Sequence, residues 1–357
     1  MTTSFDQTKA DIFADKMLGI LNDGALALMI SIGHRTGLFD TMAKLPPSTS
    51  IAIARAVGLQ ERYVREWLGA MVTGRIVVYD PATDAYCLPP EHAASLTRAA
   101  TPNNMAMFMQ YIPLLGAVED GVVRSFREGG GVPYAAFPRF QQVMAEESSQ
   151  TVSAALVDAI LPLAPGLINT LREGIEVLDV GCGRGRALIL MAQTFPRSRF
   201  TGYDFSKEGI AVGKVRAAEL ELDNIQFACK DVSLMEERDH YDLITAFDAI
   251  HDQAKPRSVL QNIAQALRPD GVFLMQDIGA SSHVHKNIEH PMGPMLYAIS
   301  CMHCMTVSLA LGGEGLGAMW GEEQAQHLLN EAGFSQVAIH RLPHDMQNSY
   351  FVARKGV

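Results

Sequence analysis

The chain has 357 residues, 48% hydrophobic and 19% charged, an ordinary globular composition long enough for two domains with sizeable cores. Its formal net charge of -10 argues against nucleic acid or an anionic membrane as partner, since either needs a basic footprint. Five cysteines without framework spacing exclude a disulfide scaffold and point to a reducing, cytoplasmic setting, and neither a leader nor a membrane-length apolar run is expected.

Residues 5–30 are helix-patterned, with Ile12, Phe13, Met17, Leu18 and Leu21 on one stripe. Asn22-Asp23-Gly24 predicts a pause, after which Ala25–His34 resumes the helix and Gly37 ends it. Pro46-Pro47-Ser48-Thr49 breaks the chain and caps a short helix, Ile51–Val57, closed by Gly58. Glu61–Val72 carries Val64, Trp67, Leu68, Met71 and Val72 at amphipathic spacing, and strand-like runs Arg75–Tyr79 and Ala85–Leu88 flank a turn. Helix, turn, helix and hairpin make a winged helix, so residues 1–100 are predicted as an α-helical winged-helix domain. DNA contact is discounted: Gln60, Arg62 and Arg65 are offset by Glu61 and Glu66, and there is no basic stripe. The pattern around Gly58–Val72 and Tyr79–Pro89 resembles a module that small-molecule O-methyltransferases of the plant caffeate type, and their bacterial relatives, carry ahead of the catalytic domain. That resemblance implies a homodimer formed through this domain, which also helps wall an acceptor pocket.

Residues 101–170 are predicted as a helical link. Met105, Phe108, Met109 and Ile112 stand at helical spacing, followed by Gly129-Gly130-Gly131, Pro133-Tyr134 and Phe137-Pro138-Arg139-Phe140. Core packing and the lining of an apolar acceptor pocket both fit this stripe, and both stay open.

From residue 171 strand and helix alternate. Ile175, Val177, Leu178 and Val180 form a short buried-strand run. Gly181, Gly183 and Gly185 follow at every second position, and a helical pattern over 187–194 begins at once. Such a turn lets a ligand lie against bare backbone with N–H groups pointing at it. Strands are predicted at 199–203, 225–228, 242–246 and 271–276, helices at 207–220, 256–267 and Glu322–Ala332, and a closing antiparallel pair at Val337–Arg341 and Ser349–Ala353. The fold class is α/β, a doubly wound Rossmann-like sheet with ligands at the carboxyl ends of its strands.

Gly-x-Gly-x-Gly with Asp179 two positions ahead differs from the dinucleotide fingerprint. The next strand ends in a second acid, Asp204, placed to accept from ribose hydroxyls, with Phe205 beside it. Here the chain resembles the class I S-adenosylmethionine-dependent methyltransferases. The resemblance implies a seven-stranded sheet over 171–357, S-adenosyl-L-methionine as donor and S-adenosyl-L-homocysteine as product. It places Asp179, Gly181, Cys182, Gly183 and Gly185 in the first motif, and Asp231 with Val232 at the adenine. Phe247 and Asp248 then stand near the donor's methionine end.

Residues 281–320 read as a lid insertion rich in His283, His285, His290, Cys301, His303 and Cys304. Cys301-x-x-Cys304 invites a zinc reading, but the second cysteine pair is missing and Met295–Leu309 is helix-patterned, so no metal is expected. A hydroxyl acceptor needs a base titrating near neutrality. His251, in Ala249-Ile250-His251-Asp252-Gln253, matches the segment where plant-type O-methyltransferases place theirs, with Gln253 in place of their tryptophan. The match implies His251 as base and Asp277 as the carboxylate that orients it. His303 is the second candidate base, and Asp252 is expected to point away or hold the loop. Gly131–Tyr134, Phe247–Asp252, His290–Pro294 and Gly312–Gly321 make the whole chain similar to a bacterial group of methyltransferases with an N-terminal winged helix. The expected activity is methylation of a small-molecule hydroxyl. A thiol or thioether acceptor, or a winged-helix regulator sensing S-adenosylmethionine, are the alternatives.

Overall fold

The computed structural model of the protein describes residues 5–356. The chain forms two compact units, Met1–Pro113 and Leu114–Val357; the stretch 101–170 is divided between them.

In the first unit α1 (Gln7–Thr36) is capped by the Asp6 side chain, which accepts from the Lys9 N–H, and ends at Gly37 in the left-handed region. The pause expected at Asn22-Asp23-Gly24 does not occur. An interior glycine costs a helix about 1 kcal/mol but removes no hydrogen bond, so the ladder runs through it. The apolar stripe over Ile12–Leu21 is present but faces outward: Phe13 is 59% and Leu21 70% exposed. Further along, Gly33 lies so close to the rings of Trp67 and Phe39 that a Cβ would stand 2.6 and 2.7 Å from them. This close approach seats α1 on α2 (Leu38–Met42), α3 (Ser50–Val57) and α4 (Glu61–Thr73), whose core is built from Leu38, Ile53, Val64, Leu68 and Met71. β1 (Val78–Asp80) and β2 (Ala85–Cys87) pair antiparallel as the wing.

The second unit holds a seven-stranded sheet. Its strands are β3 (Glu176–Val180), β4 (Arg199–Asp204), β5 (Ile225–Cys229), β6 (Tyr241–Phe247), β7 (Leu267–Ile278), β8 (Phe334–His340) and β9 (Asn348–Lys355). Their order is β5-β4-β3-β6-β7-β9-β8, parallel through β7 and antiparallel beyond it. Leu178, Val180, Ile244 and Phe273 pack in one cluster and Val177, Leu243 and Leu274 in another, both fully buried as a doubly wound sheet requires. The strand order reverses between β3 and β6, and that switch point opens a crevice at the strands' carboxyl ends. β7 is longer than expected, so Asp277 lies inside the strand, paired with Ser349, and not after it.

The helices that matter to the crevice are α5 (Phe140–Ser148), α6 (Arg186–Thr194), α7 (Lys207–Glu219), α8 (Pro256–Ala266), α9 (Gly293–Ala310) and α10 (Gly321–Glu331). α9 is interrupted by a π turn at Ser300–Cys304. By length and composition α1 and α9 could each cross a membrane, which corrects the expectation that no such run exists; in α9 Leu296, His303, Cys304 and Val307 are buried inside the unit.

Candidate active site

The glycine loop between β3 and α6 needs glycine for two reasons. Gly181, Gly183 and Gly185 all have positive φ, and a Cβ at Gly181 would stand 2.4 Å from Ala249, one at Gly185 2.4 Å from the Phe227 ring. The expectation that its N–H groups point at a ligand is not met. Gly181 and Cys182 donate to the Tyr203 carbonyl, Gly185 to that of Cys182, and Gly183 to Asp204 Oδ2 at 2.8 Å. The loop is pinned to β4, and what it offers a ligand is close backbone approach.

Asp204 Oδ1 also accepts from the Ser206 N–H. Each carboxylate oxygen therefore keeps a lone pair for a ribose hydroxyl. Asp179 lies at the end of β3, its Oδ1 accepting from Thr245 at 2.7 Å. Burial pushes its pKa up to about 7, Thr245 opposing and Asp204 adding. Burial raises Asp204 as well, against its two backbone bonds. Asp248 stands at φ 50 just past β6 and accepts from Gln276, while its Oδ1 has no partner among the described residues. Burial holds its pKa well above the usual value, helped by Glu147 and Asp277 and opposed by His251. A cationic ligand beside them would offset the desolvation and favour their charged form, and S-adenosylmethionine carries a sulfonium and an ammonium. Phe205 is half-exposed at the rim, Cys182 packs over Gly202, and Phe247 ends β6 half-buried. Asp231 is exposed and caps a short turn through the Ser233 N–H. Val232 turns its side chain into the core.

His251 is 4% exposed, and its Nδ1 lies 2.8 Å from Asp277 Oδ1. That oxygen also receives the Trp320 indole N–H at 2.9 Å and the Ile278 N–H at 2.8 Å, so Asp277 is fixed from three sides. Burial works against a charged imidazole, but the Asp277 carboxylate and the nearby Cys304 thiol outweigh it and hold the pKa well above 6.5. The turn carrying His251 is tied to the lid segment: Ser308 Oγ donates to the Gln253 carbonyl, and the Glu314 N–H to that of Ala254. Asp252, next to His251 in the chain, is half-buried. Burial pushes it up to about 6, with Asp204 and Asp277 adding and His251 opposing.

Burial and the His251 charge lower the pKa of His303, the second candidate base, to about 3. Cys301, His303 and Cys304 do not gather around one point as ligands among the described residues; the group that comes together is Asp248, His251 and Asp277. Their ligand atoms all lie within 4.8 Å of one another.

Sequence reasoning missed Trp320, Thr245 and Gln276, and it left Tyr134, Phe137 and Phe140 between two readings. Phe140 stacks on the His303 ring and Tyr134 packs edge-on against Phe205. The one local signal was Gly129-Gly130-Gly131: a Cβ at Gly131 would fall 1.9 Å from the Thr306 carbonyl, and Val132 N–H bonds Thr306 Oγ1.

An acid–glycine loop at the switch point, a carboxylate ending the second parallel strand and an antiparallel closing pair define a class I, S-adenosylmethionine-dependent methyltransferase domain. Family comparison agrees in both halves of the chain: residues 24–98 match the Rv2258c-like winged HTH domain and residues 171–345 a methyltransferase domain. Among curated proteins, malonyl-[acyl-carrier protein] O-methyltransferase of Bacillus cereus is 28% identical over 123 residues, 33% of this chain. The match spans 45% of that relative. Human N-acetylserotonin methyltransferase, solved with S-adenosylmethionine, superposes with a TM-score of 0.69 at 18% identity, covering 100% of both chains. Mitomycin 7-O-methyltransferase MmcR gives 0.69 at 18%, over 97% of this chain and 99% of its own. At such identities these two report the fold.

Proposed function

We propose that the protein transfers a methyl group from S-adenosylmethionine to a hydroxyl of a small-molecule acceptor, with His251 as general base. The observation that carries this is the buried His251–Asp277 pair, locked by Trp320 beside the glycine loop. S-adenosylmethionine supplies a methyl group already activated on a sulfonium, so the protein's task is alignment and proton removal. Asp204 would hold the ribose, the loop glycines admit the donor to the backbone, and Asp179, Asp248 and Asp252 favour its positive charge. Asp277 keeps the imidazole's Nδ1 occupied, which leaves the other nitrogen to take the proton of an acceptor hydroxyl. A thiol acceptor would need no such base.

Two measurements test this. S-adenosylhomocysteine should bind the wild type in isothermal titration and Asp204→Asn about tenfold more weakly, the loss of one charge-assisted bond; no binding to the wild type removes the donor. Phenols, thiols and amines screened by S-adenosylhomocysteine release should find a hydroxyl acceptor. His251→Ala should then lose at least about a hundredfold in turnover with donor affinity kept.

We further propose that the winged helix joins two copies of the chain in a reducing cytoplasm and does not bind DNA. In support, Arg62 and Arg65 on α4 are ion-paired with Glu66 and Glu61 of the same helix, and all five cysteines are free.

A further inference from the structure

The π turn in α9 brings two consecutive side chains to the base. Cys304 lies near enough to the His251 ring to raise its pKa, and His303 beside it is 1% exposed, with no hydrogen-bond partner at either nitrogen among the described residues. Three rings surround that imidazole. Phe140 stacks on it with centroids 3.6 Å apart and planes 11° from parallel. Phe137 and Tyr134 meet it edge-on at 4.6 and 5.6 Å. The Tyr134 ring meets Phe205, the residue after Asp204, at 5.3 Å, so the aromatic wall runs from the donor strand to His303. A buried donor and acceptor left unsatisfied costs about 1–3 kcal/mol that a phenylalanine would not. π turns concentrate at functional positions, and a buried orphan needs a reason.

We propose that His303 is an acceptor-binding residue: its imidazole hydrogen-bonds a second polar group on a planar aromatic acceptor whose neighbouring hydroxyl faces His251. This rests on the methyl-transfer reading above. With the ring kept neutral, one nitrogen donates and the other accepts, so an uncharged hydroxyl suits it and an anion does not. Asp248, Asp252 and Asp277 nearby point the same way, since they disfavour a carboxylate. Among simple probes, catechol offers two adjacent hydroxyls and phenol only one.

Equilibrium binding to the enzyme saturated with S-adenosylhomocysteine tests the proposal without turnover. Catechol should bind the wild type about tenfold more tightly than phenol, the worth of one well-made hydrogen bond. His303→Phe should erase that preference with the S-adenosylhomocysteine affinity unchanged and the melting temperature equal to or above the wild type. His303→Gln, which keeps a donor and an acceptor, should retain most of it. A preference that survives His303→Phe, a His303→Gln variant that loses it entirely, or a wild-type complex that binds neither ring overturns the proposal. If S-adenosylhomocysteine itself fails to bind, the underlying methyl-transfer reading falls first.

Discussion

His251 sits between an acid and a thiol, and both pull its titration upward against burial. A base must be unprotonated before it can take a proton from an acceptor. Turnover should therefore rise with pH along a limb set by His251 and lying above 6.5. Replacing Asp277 with asparagine removes the charge that raises the pKa, so the sign is fixed: the limb in Asp277→Asn moves to lower pH, by about one unit or more. The plateau falls too, because an amide stabilises the imidazolium less well. A pH–rate profile of kcat/KM on the screened acceptor reads both, and a limb that stays in place would detach Asp277 from the base. Asp204, His251 and Asp277 could be picked out in the sequence because each falls at or just beyond the carboxyl end of a strand, His251 with the help of the family resemblance. Tyr134 and Cys304 gain their meaning only from Phe205 and His251, far off in the chain.

Among the elements, the glycine loop and the strand order were readable because short apolar runs and turn glycines leave few alternatives. The hydrogen bonding of the loop was not, since it depends on the way β4 lies beside it. The crossing of the triple-glycine segment over α9 was equally hidden. It sets the wall of the crevice: Gly131 meets the Thr306 carbonyl and the Ala310 amide, both backbone groups that cannot swing aside. Gly131→Ala should consequently destabilise the protein by about 2–3 kcal/mol, the cost of overpacking against rigid atoms. Urea unfolding measures it. A loss below about 0.5 kcal/mol would mean that the segment shifts freely and that the aromatic rings behind it are not firmly held.

At the scale of the molecule, the first unit exposes what the second hides. Its α1 carries Ile12, Phe13, Met17, Leu18, Ile20 and Leu21 outward over about its first four turns. The spacing of that stripe was legible; that it lies uncovered on the chain was not, since an amphipathic pattern looks the same whether the partner is its own core or another molecule. A two-fold dimer covers such a face by repeating it. Replacing Phe13 and Leu21 with glutamate removes four large apolar contacts from the pair, since each substitution occurs twice. At about 1.5 kcal/mol or more for each side chain, the interface loses about 6 kcal/mol, a rise in the dissociation constant on the order of ten-thousandfold. Sedimentation should find the wild type dimeric and the double variant monomeric at micromolar concentration, with S-adenosylhomocysteine still bound by the second unit. A wild type that sediments as a monomer, or that is recovered only with membranes, would assign the apolar face of α1 to another partner.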